Sequence, residues 1–334
     1  VIRRFDQIVG QDRSVDILRR AIGSGRLHHA NLLTGPEGVG KRTLAIVAAA
    51  RLNCETPDGP EPCGHCRGCE LVFDNTHPDL VFVEPDGRMI KVEQVREIIS
   101  LMRFRPSEGG SRVVVIEHAD QMREEAANAL LKTLEEPNPQ TIFFMLSSQP
   151  HRLLSTIRSR CQPLVMSALS VEHVLQVLAV QGHSADDVES VVAARASEGS
   201  VARAIELIES PWWQSRTELF ARFIALLDGS DDAVTWADSL SKTKELVEPT
   251  LTLLRALLRD MMLVSSGAEA GRLVHEDVQG VRALASRLQT ERVVRMLSWI
   301  EAAERELLGN VNARMVLEIL FLKMARSASE RTYA

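Results

Sequence analysis

The sequence predicts an α/β fold of the P-loop type, followed by a chain built from helices alone. Three observations carry this expectation. Up to about residue 166, short β-branched runs alternate with helical patterns, as in a parallel sheet with crossover helices. The segment Gly35-Pro36-Glu37-Gly38-Val39-Gly40-Lys41 stands between an apolar strand and a helix, the setting a phosphate loop requires. From Ser170 onward the strand patterns stop.

Taken in order, 30–34, 80–84, 112–117 and 141–146 read as buried strands, because each is a short apolar run between turn residues. Helical periodicity falls near 13–22, 42–52, 92–102 and 124–135. Ser170, Ser184 and Ser200 each precede an apolar-periodic segment as candidate N-caps, and Gly182 is placed to end the first. Three short helices there suggest a small lid. Ser210-Pro211 opens a further helix with Leu219, Phe220, Phe223, Leu226 and Leu227 on one face. Longer amphipathic patterns lie near 244–264, 290–308 and 311–325, with a loop at Gly267 to Gly271. The boundaries expected are therefore 1–167 for the α/β domain, 168–209 for a helical lid and 210–334 for a second helical domain.

Composition limits the function classes. A length of 334 residues suits two or three domains of about one to two hundred residues each. Apolar residues at 45% and charged residues at 25% exclude a disordered or fibrous chain. Aromatics at only 4% leave Leu, Val, Ile and Ala to build the core, which favours helices. With 39 basic against 45 acidic residues, no global positive field holds nucleic acid, so any DNA contact is local or shared with partners. Arg103, Arg105 and Arg112 are the candidates for such contacts. No apolar run is long enough to span a membrane and the opening residues lack a signal-peptide pattern, so the expectation is a cytoplasmic protein with no membrane partner.

In the phosphate loop, Gly35, Gly38 and Gly40 let backbone N–H groups converge on phosphate, and Lys41 can reach the terminal phosphates. The next position should supply a hydroxyl for magnesium, yet it is Arg42. Thr43 is a poor replacement, since one helical step turns a side chain by about 100°. The strand 113–116 ends in Glu117-His118, where a magnesium-aligning Asp and a catalytic Glu are expected. His118 is either a base in place of that Glu or a residue that merely closes the strand. The combined reading is a decayed site, with ATP bound weakly or not at all and hydrolysis lost.

Four of the five cysteines, Cys54, Cys63, Cys66 and Cys69, crowd into one insertion as C-x8-C-x2-C-x2-C. The short steps let thiolates converge, and four sulfurs select zinc or an iron–sulfur cluster. With no redox motif nearby, a structural zinc is expected, in a Pro- and Gly-rich knuckle and not a helix. Cys161 reads as an ordinary buried thiol.

Five segments then resemble the clamp-loader branch of the AAA+ superfamily: Phe5 to Gln11, His29 to Pro36, the cysteine cluster, Asn128 to Pro137, and Ile157-Arg158-Ser159-Arg160-Cys161. The resemblance implies an AAA+ core, a helical lid and a helical collar for oligomerisation. It implies partners too: the gamma/tau motor and delta subunits in a pentameric ring, with the sliding clamp and primer-template DNA met through the complex. The Ser-Arg-Cys triplet of this family makes Arg160 an arginine finger for a neighbour's ATP, placed by Arg158 and Ser159, and Arg203 matches the lid arginine that touches phosphate in cis. Motor subunits should keep Lys-Thr after the loop glycine and Asp-Glu at the strand end, so Lys41-Arg42 and Glu117-His118 imply the subunit that completes a neighbour's site. Such a chain would have no ATPase of its own while counting as a subunit of a DNA-directed DNA polymerase, a nucleotidyltransferase. The alternatives are a competent motor ATPase in which Thr43 and Asp120 serve magnesium, and a small-molecule P-loop kinase carrying a zinc insertion.

Overall fold

The computed structural model describes residues 2–102, 104–108, 110–209, 216–267, 273–274, 278–309 and 311–329. The chain divides into two compact units, Val1–His173 and Val174–Ala334.

In chain order the first unit holds α1 (Asp12–Gly23), β1 (Ala30–Thr34), α2 (Lys41–Leu52), α3 (Arg67–Phe73), β2 (Leu80–Val83), α4 (Val92–Leu101), β3 (Arg112–Ile116), α5 (Glu124–Glu135), β4 (Thr141–Ser147), α6 (Ser155–Arg158) and β5 (Gln162–Val165). The strands form one sheet in the order β2-β3-β4-β1-β5. Every pairing is parallel, with Leu32 opposite Met145 and Leu33 opposite Leu164. A parallel sheet needs helices on both faces, so its strands read as continuous apolar runs. Alternation along β3 sends Val113 and Val115 to one core with Leu33, Leu44 and Phe144, and Val114 and Ile116 to the other with Leu32, Leu130 and Phe143. Each such buried side chain contributes about 1.5–3 kcal/mol.

The four strands expected from sequence are present. β5 was not expected, because only Leu164 of its four residues is buried and Pro163 interrupts it, which an edge strand tolerates.

In the second unit, α7 (Val171–Val180) crosses the division and is followed by α8 (Val188–Ala196), α9 (Val201–Glu209), α10 (Arg216–Asp228), α11 (Ala233–Lys242), α12 (Val247–Ser265), α13 (Val278–Leu288), α14 (Thr290–Leu307) and α15 (Ala313–Ser329). Among the described residues it contains no strand. Trp236 of α11 stacks on Phe321 of α15 at 4.2 Å between ring centres, beside a core of leucines. Ser170 and Ser200 accept the backbone N–H of His173 and Arg203 as helix caps. Ser184 does not cap α8; its hydroxyl takes the N–H of Asp186 in a turn, and Asp187 holds the N-cap position. The helices α11 and α13 were not expected. Ser210-Pro211 and residues 268–271 of the expected loop lie outside the described residues. No helix among the described residues is long and apolar enough to cross a membrane.

Candidate functional site

The phosphate loop joins β1 to α2 with Gly35, Gly38 and Gly40 all at positive φ. At Gly35, where φ is 150°, a Cβ would stand 2.2 Å from the Met166 carbonyl oxygen, so no other residue fits. Gln11 binds this loop to the exit of β5. Its amide donates to the Val39 carbonyl at 3.4 Å and to the Ser167 carbonyl at 2.8 Å, and its carbonyl accepts the Ser167 N–H at 3.2 Å. Gly10, at φ +72°, leaves no room for a Cβ against His173 and Leu169, each 2.6 Å from where it would be. The Gly10-Gln11 pair thus ties the cradle to the segment after β5.

Lys41 turns back on the loop, donating to the carbonyls of Gly35 at 2.7 Å and Pro36 at 2.6 Å. Burial pulls its ammonium below the ordinary lysine range, opposed by Glu37 and Asp120. Arg42, in the first turn of α2, lays its guanidinium 4.6 Å from the Phe82 ring centre and bonds Glu84 at 2.8 Å. The same nitrogen bonds Glu117 at the end of β3. Burial pushes the Glu117 carboxyl above its ordinary 4.5, with Arg42 pulling it back and Glu84 adding to the rise. His118 is left-handed at φ +47°, a rare conformation for a residue with a side chain, and its Nδ1 stands 3.7 Å from Glu37. Asp120 accepts the Ser147 hydroxyl at 2.5 Å. Thr43 lies half-buried one position further round α2. Glu84 and Ser147 escaped the sequence reading, although both end apolar strand runs beside the loop.

The four sulfurs of Cys54, Cys63, Cys66 and Cys69 lie within 4.8 Å of one another. Two of the separations, Cys63 to Cys69 and Cys54 to Cys66, are 3.9 Å. A zinc bound at about 2.3 Å from each of four sulfurs needs tetrahedral edges of about 3.8 Å, so these thiols can hold such an ion. Backbone N–H groups of Cys63, Cys66 and Cys69 point at the sulfurs of Cys54, Cys63 and Cys66 at 3.3, 3.3 and 3.5 Å. Burial opposes ionisation of Cys63, yet donation from Thr56 and from backbone N–H groups draws its thiol down to about 5, while burial raises Cys54 and Cys69. One expectation is corrected: the knuckle is not free of helix, because Cys66 caps α3 and Cys69 lies within it. Gly68 makes this possible, since a Cβ there would meet the Asn53 carbonyl oxygen at 2.2 Å. Glu61 fixes the insertion to the first segment by accepting the Phe5 N–H at 2.7 Å and pairing with Arg19 at 2.8 Å.

Arg160 follows α6 and is about one-third exposed. It donates to the Thr156 carbonyl at 3.0 Å, the Ser159 hydroxyl at 3.3 Å and Glu135 at 2.5 Å. Arg158 is exposed, and Cys161 is buried as expected. In the second unit Arg203, on α9, pairs with Glu198 at 3.6 Å. Glu198 also faces Arg255 at 3.5 Å, and Arg255 pairs with Glu304 at 3.0 Å. Arg112 is no DNA contact. Its side chain is buried on Asp79 at 2.9 Å and donates to the carbonyls of Leu101, Phe104 and Arg105. Arg105 is exposed, and Arg103 lies outside the described residues.

A five-stranded parallel sheet, a glycine-rich loop opening α2, an acidic end to β3 and a half-buried arginine after α6 define an AAA+-type P-loop protein carrying a four-cysteine centre. The family described as "DNA polymerase III, delta subunit" matches residues 10–170, and "DNA polymerase III, delta subunit, C terminal" matches residues 210–326. The chain is 32% identical to DNA polymerase III subunit delta' of Bacillus subtilis, over 94% of its length and 96% of the relative's. It is likewise 32% identical to DNA polymerase III subunit delta' of Escherichia coli, over 90% of each. A solved DNA polymerase III gamma subunit-related protein of Thermotoga maritima aligns with 94% of the chain and 99% of its own, at 16% identity and a TM-score of 0.47. The chain belongs to the family of DNA polymerase III delta' subunits.

Proposed function

We propose that the chain serves in a clamp loader as the subunit that completes a neighbour's ATP site while its own is silent, so that a sliding clamp is placed on primed DNA during replication. The observation that carries this reading is Arg42. Its guanidinium takes the acid at the end of β3 that a magnesium site would need, in the position where a metal-binding hydroxyl belongs. Arg160 remains on the surface, in the triplet that resembles a trans finger, with a planar fork suited to phosphate charge. On this reading residues 168–209 are a lid, and 210–334 a collar that joins gamma/tau and delta subunits in a pentameric ring. Cys54, Cys63, Cys66 and Cys69 hold a structural zinc, Arg203 is a vestige of a phosphate contact in cis, and the setting is the cytoplasm.

The test is omission. Motor and delta subunits from the same cell are assembled with and without this chain, and clamp loading on a primed template is timed. Rings with the chain load and those without it stall. Equal loading without the chain would contradict the reading.

A further inference from the structure

Arg160 does not stand alone. Its Nη2 donates to Glu135, the last residue of α5, while its Nη1 is taken by the Thr156 carbonyl and the Ser159 hydroxyl of its own turn. Three acceptors on two elements therefore define the plane of one guanidinium. The turn alone would leave the fork able to swing about its last torsions, since both local acceptors sit on the same nitrogen. Glu135 removes that freedom by holding the second nitrogen from a different element.

The backbone that carries Glu135 is anchored next to it. A helix leaves its last four carbonyls without internal partners. One of these, the carbonyl of Leu134, lies 2.8 Å from His29 Nε2. Burial keeps the His29 ring below the ordinary histidine range, and because a carbonyl only accepts, its Nε2–H is the donor. His29 precedes β1 and tilts against His28 at 4.3 Å between ring centres. A run of contacts thus leads from the residue before β1 through the end of α5 to the arginine.

We infer that Glu135 is the positioning residue of Arg160, fixing its fork for the neighbour's phosphate. This rests on the finger reading given under Proposed function. Glu135 touches no reacting atom; it acts by limiting where the guanidinium can be when the subunits meet. Misplacement of a reacting or stabilising group by about 1 Å can cost about a hundredfold in rate. A finger that still visits the right place part of the time loses less, so Glu135→Ala should slow the dependent hydrolysis by about tenfold.

The experiment uses complete rings rebuilt from this chain and its own motor and delta subunits, with assembly confirmed by native mass spectrometry. Single-turnover ATP hydrolysis is measured for the unmodified chain, Glu135→Ala, Arg160→Ala and the double variant. Glu135→Ala should lower the hydrolysis rate with nucleotide affinity unchanged, and the double variant should match Arg160→Ala alone. A purely structural defect would instead multiply with the loss of Arg160, and that result overturns the inference. So does Glu135→Ala at the unmodified rate beside a slow Arg160→Ala, which leaves the finger reading standing. Arg160→Ala at the unmodified rate removes the finger reading itself. Should Glu135→Ala fail to assemble, Glu135→Gln decides: it keeps an acceptor but not the charge, and a severalfold loss supports the inference where an unmodified rate opposes it.

Discussion

Arg42 and Glu117 form an ion pair at the mouth of the phosphate loop, with Glu84 on the same guanidinium nitrogen and Phe82 beneath it. A cation is thus built into the chain between two carboxylates. Arg42→Ala should leave Glu84 and Glu117 facing each other and destabilise the protein by about 1 kcal/mol, the upper range for a partly exposed pair. That corresponds to a melting temperature lower by about 2–4 °C. Millimolar magnesium should restore part of this loss in the variant and leave the unmodified protein unchanged.

The same pair sets a pH dependence. Glu117 binds its proton more tightly folded than unfolded, so its contribution favours folding at low pH and is lost as pH rises from about 4.5 through its raised value. Removing Arg42 removes the influence that lowers it, so the destabilisation in Arg42→Ala should be larger at pH 7 than at pH 4. Urea unfolding at the two values checks the sign.

The isolated chain should hydrolyse ATP negligibly. On the proposed reading Arg42 stands in place of the magnesium hydroxyl and His118 in place of the water-activating acid, two losses that would affect separate parts of the reaction. The triple variant Arg42→Thr, Glu117→Asp, His118→Glu should gain turnover in a steady-state assay. Brisk hydrolysis by the unmodified chain would contradict this account of the site.

Metal analysis of protein purified without chelator should find one zinc per chain, and Cys66→Ser should fail to hold it. Because the four cysteines lie within one insertion, chelation should raise hydrogen exchange across residues 54–73 and leave the sheet protected.

Asp79→Ala should cost about 3–5 kcal/mol in urea unfolding, since it leaves a buried guanidinium without its carboxylate. Asp79 also accepts the N–H groups of Ser107 and Glu108 at 2.7 and 3.0 Å, so the loop before β3 should lose exchange protection in the same variant.

The sheet was legible in sequence because buried parallel strands are continuous apolar runs, and the loop because glycine spacing is fixed by backbone geometry. β5 was not, since an edge strand with one buried residue carries almost no hydrophobic signal. The cysteine spacing pointed to four converging thiols, which the fold does bring together, but it hid α3, because the Pro- and Gly-rich stretch before it dominates the pattern. Arg112 misled because an arginine's sequence context does not reveal a buried aspartate 33 positions away. Arg42 was read as a missing hydroxyl; that it also occupies Glu117 depends on Glu84 and Phe82 arriving from β2, which only the fold brings close.

The central claim, that this chain acts on a neighbour's ATP through Arg160, is tested most directly by single-turnover hydrolysis in rings carrying Arg160→Ala. Fingers of this kind supply roughly a thousandfold or more where one site is isolated. Arg160→Ala should lose at least about tenfold in rate at unchanged assembly, little restored by Arg160→Lys, which keeps the charge and loses the fork. Equal rates in mutant and unmodified rings would contradict it.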